Sequence, residues 1–194
     1  MANDPPELVV PDAGAWRRWL SSNWPDQSGV WLVLAKKNAV EPTRLGHDEA
    51  LEEALCFGWI DGQTRQRDDS TFRQRFTPRR ARSPWSRRNV DIATRLIDAG
   101  RMQPAGLAEI ERAKADGRWD AAYAGPATAV VPDDLAAALS ANPAAAAMFE
   151  RLTSQNRFAI LYRLGQVKRA ETRARKLAGY VDMLARGETI YPQR

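Results

Sequence analysis

The chain has one cysteine and one histidine among its 194 residues. A single cysteine, Cys56, excludes an internal disulfide and a multi-cysteine zinc site. A single histidine, His47, makes a histidine-based metal site very hard to assemble, so we expect neither a metal nor a cofactor. No apolar run approaches the roughly 20 residues that span a bilayer, and the first sixteen residues lack the cationic and apolar parts of a signal peptide. These absences predict a soluble, cytoplasmic protein.

Common catalytic motifs are absent as well. No glycine-rich phosphate loop follows a predicted strand, and no Gly-x-Ser-x-Gly nucleophile motif occurs. Cys56 lies near the predicted end of a helix, where the helix dipole raises a thiol pKa, so we expect it to be a buried apolar residue. His47 lies nine residues earlier on the same helix, roughly 13 Å away by helical rise, and is too distant to activate Cys56. A magnesium site built from carboxylates alone stays open as an alternative, with candidate ligands Asp48, Glu49, Glu52, Glu53 and Asp61.

Lysine is missing from residues 63–89, where nine arginines and two acids give a net charge of +7. The whole chain carries +5, so the basic character belongs to this segment and the remainder is slightly acidic. Guanidinium groups bind phosphate or carboxylate in a planar, two-pronged geometry that lysine does not offer. Two tryptophans, Trp59 and Trp85, flank or fall within the segment. We therefore expect the functional surface of the protein here.

Hydrophobic periodicity predicts an α+β fold, in which a small antiparallel sheet of about three strands with flanking helices is followed by an all-helical C-terminal domain. Val30–Ala35 is nearly all apolar, which predicts a strand buried on both faces. Helices are predicted over 13–22, 47–57, 87–99, 105–116, 133–140, 143–152, 155–165 and 169–186. Residues 120–132 are small and bounded by prolines, as is typical of a linker. We expect an α+β domain over 1–125 and a helical domain over 126–194.

A β-hairpin is predicted at the start of the arginine segment, with strands at 60–67 and 71–77 and a polar turn at 68–70. Period-two counting places one set of side chains on one face: Ile60, Thr64, Phe72 and Phe76. The opposite face would then carry Asp61, Gln63, Arg65, Arg67, Arg73 and Arg75. Four arginines on one face repel one another unless an anion, Asp61 or the acidic helix at 48–53 compensates them.

Four interpretations fit the arginine segment. The one we favour is a pocket for a small anionic or aromatic ligand, or a surface for a protein partner. A second is contact with nucleic acid, in which the tryptophans stack on bases and phosphates are bound by Arg65, Arg67, Arg73, Arg75, Arg79, Arg80, Arg82, Arg87 and Arg88. A third is an enzyme in which Asp61 is the acid or base and arginines orient an anionic substrate. The fourth is structural, with the arginines paired internally to Asp61 and the acids of 48–53.

Ordered motifs through the first two thirds of the chain are similar to those of a known family. They are Glu-Ala-Leu-Cys-Phe-Gly-Trp-Ile-Asp-Gly at 53–62, Arg-Phe-Thr-Pro-Arg at 75–79, Ser-Pro-Trp-Ser at 83–86 with Asn89, Gly-Arg-Met-Gln-Pro-Ala-Gly at 100–106 and Ala-Lys-Ala-Asp-Gly-Arg-Trp-Asp at 113–120. With this order and spacing, the chain closely resembles the YdeI/OmpD-associated family over about residues 16–190. The C-terminal helical part resembles the domain named for bacteriocin protection.

The resemblance implies a small bacterial cytosolic protein associated with protection against bacteriocins or other antimicrobial peptides and with an outer-membrane porin. It implies no particular reaction and no catalytic residue, so we favour a protein that works by binding. The predicted ligand-binding residues are Trp59, Asp61, Arg65, Arg75, Arg79, Trp85, Ser86 and Asn89. Ser86 and Asn89 also have a local explanation, as the N-cap and the third residue of the helix that follows.

Overall fold

The computed structural model describes residues 6–25 and 29–193 of the chain. The described chain folds as two compact units. The first comprises the described residues up to Trp85 together with Asn89–Ala122, and the second comprises Ser86–Arg88 and the residues from Tyr123 onward. The predicted domain boundary between residues 125 and 126 stays a prediction.

The first unit contains a four-stranded sheet in the strand order β1-β2-β4-β3. Its strands are β1 (Glu7–Leu8), β2 (Val30–Ala35), β3 (Trp59–Gln66) and β4 (Thr71–Pro78). β2, β4 and β3 pair antiparallel, as predicted. β1 pairs with β2 in parallel, so the sheet is mixed and the prediction of an antiparallel sheet is wrong at this edge. A two-residue strand is too short for its periodicity to be recognised in the sequence.

The helices of the first unit form at the predicted positions and pack against the sheet. They are α1 (Ala13–Asn23), α2 (His47–Cys56), α3 (Arg87–Asp98, of which 89–98 belong to this unit) and α4 (Pro104–Ala115). Trp16 of α1 is completely buried, and its indole Nε1 donates a hydrogen bond of 3.1 Å to the carbonyl of Ala50 in α2. The side chains of Leu32 and Phe76 in the sheet belong to the same core. The core therefore lies between one face of the sheet and these helices.

The hairpin contains a β-bulge that the period-two count did not anticipate. Asp61 pairs with Phe76 and Thr64 pairs with Gln74, so two residues of β3, 62 and 63, stand opposite Arg75 alone. Directly paired residues share a face, which puts Asp61 on the same face as Phe76 and Ile60 on the same face as Thr77. The prediction that Asp61 shares a face with the arginines is therefore wrong. The bulge adds one residue and shifts the alternation of every side chain before it.

The second unit contains four helices and, among the described residues, no extended strand. They are α5 (Asp133–Ser140), α6 (Pro143–Glu150), α7 (Ser154–Gly165) and α8 (Ala170–Ala185). Local signals determine their starts: the Asn142 side chain caps α6 with Pro143 in its first turn, and the Thr153 side chain caps α7. Leu135, Phe149, Ile160, Leu164 and Leu184 form its buried core. Across both units, no helix of the described chain has the length and apolar character needed to cross a membrane.

Candidate functional site

The arginines of the hairpin lie on the face of the sheet opposite the helical core. Arg65 of β3 stands directly opposite Arg73 of β4, and Arg75 stands directly opposite Trp31 of β2. These four side chains therefore share one face. Glu7 of β1 pairs with Trp31 in the parallel ladder and belongs to the same face. The predicted clustering of Arg65, Arg73 and Arg75 on one face is confirmed.

One end of this face is concave. A cleft of about 500 Å³ opens there, and we call it the arginine cleft. Its lining consists of Trp31, Gly62, Gln63, Arg65, Arg75, Thr77, Pro78, Arg80 and Ser83. The volume falls within the range of roughly 300–1,000 Å³ that is typical of small-molecule sites. Three arginine side chains, two hydroxyls and an amide thus line one small space.

Trp31 lies beneath the guanidinium groups of the arginine cleft. Its ring is 2% exposed, with the Arg65 guanidinium carbon 4.3 Å and the Arg75 guanidinium carbon 5.9 Å from the ring centroid. Such cation–π contacts contribute roughly 0.5–1 kcal/mol at exposed sites and favour a guanidinium positioned over the face of the ring. The arrangement therefore orients Arg65 and Arg75 while leaving them beside the cleft.

The loop after β4 brings Arg80 and Ser83 to the cleft. The Arg80 amide donates to Ser83 Oγ at 3.2 Å, and the Ser83 amide donates to the Arg80 carbonyl at 2.9 Å, which closes a tight turn. Two buried residues anchor this loop on either side of the turn. Arg79 is 6% exposed and Trp85 is 2% exposed, and the Arg79 guanidinium carbon lies 3.6 Å from the Trp85 ring centroid. Arg79 and Trp85 thus fix the loop that carries the cleft residues.

The acids that compensate the hairpin arginines differ from the expected ones. Glu7 Oε1 accepts from Arg67 at 3.1 Å, and its Oε2 lies 3.5 Å from Arg73 Nη1. Asp68 in the turn accepts from Arg67 at 2.6 Å. Hydrogen bonds to the Thr71 hydroxyl and other groups of the turn hold the pKa of the Asp68 carboxyl well below its usual range. Among the described residues, the acids that pair with Arg67 and Arg73 therefore come from β1 and the turn.

The acidic helix α2 is paired elsewhere. Glu53 is 6% exposed and bridges Arg17 and Arg101, each at 2.6 Å. Glu52 pairs with Arg101 and Arg95. The alternative in which Glu52 and Glu53 neutralise the hairpin arginines is therefore wrong, because these carboxylates pair with arginines of α1, of α3 and of the segment that follows α3. The described residues also contain no cluster of ligands suited to a metal ion.

Cys56 at the end of α2 is completely buried. Burial raises the pKa of its thiol, and a hydrogen bond from Arg17 only partly opposes that rise. The predicted role as a small apolar core residue is confirmed, since a neutral and inaccessible thiol is a poor nucleophile.

Only part of the predicted ligand-binding set meets at the cleft. Arg65 and Arg75 line it, while Arg79 and Trp85 support its loop from inside the protein. Trp59 is completely buried, with ring edges against Trp16 and Trp19. It is part of the core and lies outside the cleft lining.

The remaining predicted residues lie away from the arginine cleft. Asp61 faces the other side of the sheet, where His47 Nε2 is 3.2 Å from its Oδ2. Asn89 is 6% exposed within α3. Ser86 belongs to the second unit, where its backbone pairs with Tyr123. The predicted arrangement of Asp61 and the arginines around one substrate is therefore wrong, because the sheet separates them.

Several cleft residues were not among the predicted ligand-binding residues: Trp31, Gly62, Gln63, Thr77, Pro78, Arg80 and Ser83. Trp31 could have been found, because alternation along Val30–Ala35 places it on the face opposite Val30 and Leu32. Gln63 was already placed on the arginine face by period-two counting, and the structure has it in the cleft lining. Arg80 and Ser83 lie in a loop, where no periodicity applies.

The two units match different family models. Residues 8–109 match the model described as a domain of unknown function (DUF8412). Residues 128–187 match the model described as bacteriocin-protection, YdeI or OmpD-associated. No curated protein and no solved structure matches the chain. The resemblance drawn from the motifs is thereby confirmed, with the family model covering 128–187. The chain belongs to the family of the domain of unknown function DUF8412, which covers more than half of it, and carries the bacteriocin-protection, YdeI or OmpD-associated domain in its C-terminal part.

Proposed function

We propose that the protein is a binding protein whose arginine cleft holds a small ligand bearing a phosphate group. The observation that carries this proposal is the convergence of Arg65, Arg75 and Arg80 on one cleft of about 500 Å³. A phosphate monoester carries close to two negative charges near neutral pH and offers three acceptor oxygens. Three guanidinium groups match that charge and that number of acceptors better than they match a single carboxylate.

The floor of the cleft supports a compact oxyanion. The Arg65 guanidinium carbon lies 4.3 Å from the Trp31 ring centroid, so the ring supports a guanidinium whose N–H groups can donate to an oxyanion. Ser83 and Thr77 add hydroxyl groups to the lining, and Gln63 adds an amide. These neutral groups can bind the ester oxygen or the hydroxyls of the organic part. A phosphosugar or a mononucleotide has this composition.

The charge of the cleft also bears on the link with bacteriocin protection. Arginines repel cationic peptides, so direct capture of a cationic peptide in this cleft is physically unfavourable. A role in protection is easier to reconcile with an anionic metabolite that the protein binds or senses. We therefore place the peptide outside the cleft in this proposal.

Isothermal titration calorimetry with glucose 6-phosphate and adenosine 5′-monophosphate tests the proposal. We expect binding of at least one of them, and Arg65→Gln and Arg75→Gln should each weaken it by roughly tenfold or more, since a hydrogen bond to a charged group contributes about 1.5–3 kcal/mol. The matched control is Arg82→Gln, because Arg82 is an exposed arginine of the same loop region and is not part of the cleft lining. It should leave the affinity within about twofold at moderate salt, where exposed charges are screened.

Two results would overturn the proposal. An equal loss of affinity in Arg82→Gln would mean that net charge, rather than the cleft, determines binding. Tighter binding of single-stranded RNA than of any phosphorylated small molecule, with affinity falling steeply as salt rises, would assign the surface to nucleic acid. Circular dichroism of each variant checks that the fold is intact.

A further inference from the structure

The second unit has a concave site of its own, unrelated to the arginine segment. A pocket of about 560 Å³ opens beside α7, and we call it the aromatic pocket. Its lining consists of Pro126, Ser154, Gln155, Phe158, Ala159, Tyr162, Arg163 and Tyr191. Rings from two segments, α7 and the C-terminal segment, contribute to the lining. Its volume is in the small-molecule range, and its chemistry differs from that of the arginine cleft.

One wall of the aromatic pocket is a cluster of rings. Phe158 and Tyr162, one turn apart on α7, have centroids 5.8 Å apart. Tyr123 supports both of them, with an edge-to-face contact of 4.8 Å to Tyr162 and a tilted contact of 6.4 Å to Phe158. Aromatic pairs in such geometry stabilise one another by about 0.5–1.5 kcal/mol beyond area burial. The rings are therefore held in place before any ligand arrives.

The opposite wall is the C-terminal segment that carries Tyr191, and a buried amide holds it. Asn156 is 1% exposed. Its Oδ1 accepts from the Tyr191 amide at 2.8 Å, and its Nδ2 donates to the Tyr191 carbonyl at 3.0 Å and to Gln193 Oε1 at 3.0 Å. A buried amide with its donors and acceptor used in this way is a rigid connection. The backbone that carries the Tyr191 ring is thus held in place by the fold.

Arg163 supplies the charge of the aromatic pocket. Its guanidinium carbon lies 5.8 Å from the Tyr191 ring centroid, and its Nη2 donates to Tyr191 Oη at 3.3 Å. Burial disfavours its charge, but hydrogen bonds with the hydroxyls of Tyr180 and Tyr191 raise the pKa of Arg163 overall. It forms no ion pair with a carboxylate of the described chain. A cation beside apolar rings is a combination that selects for an anion with an aromatic body.

We propose that the aromatic pocket binds a small aromatic carboxylate, with the ring system of the ligand against Phe158 and Tyr162 and its carboxylate at Arg163. The rings provide flat apolar contact, and the guanidinium fork matches the two oxygens of a carboxylate. A neutral aromatic molecule would make the first contact without the second. A phosphorylated sugar would make the second without the first.

A pair of probes with the same shape and different charge tests this proposal. By calorimetry on the full chain, 2-naphthoate should bind about tenfold more tightly than its neutral amide, 2-naphthamide, because a charge-assisted hydrogen bond contributes in this range. Arg163→Gln should remove that difference and leave the amide unaffected. Arg175→Gln is the matched control, since Arg175 is an exposed arginine of α8 outside the lining. Phe158→Leu keeps an apolar side chain and should weaken both probes.

Three outcomes would overturn the proposal. The first is an absence of 2-naphthoate binding at millimolar concentration. The second is equal affinity for acid and amide in the unaltered protein. The third is a loss in Arg175→Gln as large as that in Arg163→Gln. The two sites are also separable, because Arg65→Gln should leave 2-naphthoate affinity unchanged and Arg163→Gln should leave phosphate-ester affinity unchanged. Failure at one site therefore says nothing against the other.

Discussion

The two units use aromatic residues in opposite ways. All seven tryptophans of the chain precede residue 120, and all four tyrosines follow residue 122. In the first unit Trp16, Trp31, Trp59 and Trp85 are at most 2% exposed. In the second unit each tyrosine keeps part of its surface in solvent. Trp16, Trp59 and Trp85 thus belong to the core of the first unit, whereas the phenol rings of the second unit lie at its surface.

Apart from Trp31, which lines the arginine cleft, this difference separates aromatic residues that hold the fold from those that can meet a ligand. Trp59 and Trp85 bury their indole nitrogens so deeply that, within the described chain, neither Nε1 has a hydrogen-bond partner. Such burial costs free energy, and it is tolerated where the ring fills a large space in the core. In the first unit the candidate site is therefore charged, and in the second it is aromatic.

The largest effect is expected from removing a core indole. Trp59→Ala should lower the free energy of unfolding of the first unit by about 3–5 kcal/mol, because it leaves a large cavity beside Trp16 and Trp19. Tyr191→Ala in the second unit should cost less than about 1 kcal/mol, since Tyr191 is 38% exposed and its backbone bonds to Asn156 remain. Urea denaturation followed by circular dichroism measures both.

Equal costs for Trp59→Ala and Tyr191→Ala would break the contrast between the two units. An internal control for the first unit is Trp24→Ala, because Trp24 is 39% exposed. It should change the free energy of unfolding by no more than about 1 kcal/mol. If Trp24→Ala were as damaging as Trp59→Ala, burial would not explain the loss.

Much of the fold could be predicted because its signals are local. Asn142 followed by Pro143 indicates the start of α6, and the apolar run of β2 indicates a buried strand. β1 could not be predicted, since its pairing with β2 depends on residues far apart in sequence. The bulge at 62–63 could not be predicted either, because no local sequence pattern indicates it. Its presence places Asp61 on the face opposite to the predicted one.

The candidate site was predictable only in part. The face on which Arg65 and Arg75 lie could be predicted from strand alternation. Arg65 follows the bulge in β3, and Arg75 lies on the partner strand β4, so the bulge does not disturb either assignment. Trp59 and Trp85 were expected at the edge of a site, but composition cannot tell a buried indole from an exposed one. The aromatic pocket had no counterpart in the sequence analysis, since Tyr191 reaches it through long-range hydrogen bonds to Asn156.

A second contrast concerns two helical glycines. Gly106 in α4 lies so close to α2 that a Cβ there would overlap the Cys56 carbonyl and crowd the Met102 side chain. Gly106→Ala should therefore destabilise the first unit by about 1–3 kcal/mol, the usual cost of overpacking a core. Thermal denaturation measures the change, and an unaltered or raised melting temperature would contradict this account of the α2–α4 contact.

Gly179 in α8 is the matched position in the second unit. Apart from its chain neighbours and the nearby backbone of α8 itself, no atom of the described chain lies within 4 Å of a Cβ built there. Gly179→Ala should stabilise the second unit by about 0.5–1 kcal/mol, because alanine loses less backbone entropy in a helix. A glycine-to-alanine substitution is thus expected to lower the stability of the first unit and to raise that of the second. A loss of stability in Gly179→Ala would contradict the expectation that helix propensity determines the sign at this position.

The smallest effect concerns two aspartates whose pKa values are lowered for different reasons. A bidentate pair with Arg173 lowers the pKa of Asp134 in the second unit. Hydrogen bonds from Thr71 and Ser70 dominate the lowering at Asp68 in the first unit. In both cases the folded pKa lies below the ordinary value near 3.9. The stability that each provides is therefore present above pH 4 or so and is lost as the pH falls through the folded value.

Salt distinguishes the two causes. In about 1 M salt the Debye length falls to roughly 3 Å, so the pKa of Asp134 should rise towards its ordinary value. The pKa of Asp68 should change less, because its main donors are neutral. Carboxyl carbon NMR titrations at low and high salt measure both values, and Asp134→Asn should cost below about 1 kcal/mol, as for most exposed ion pairs. A salt response at Asp68 equal to that at Asp134 would mean that Arg67, 2.6 Å from Asp68, controls the turn and that the two carboxylates are held alike.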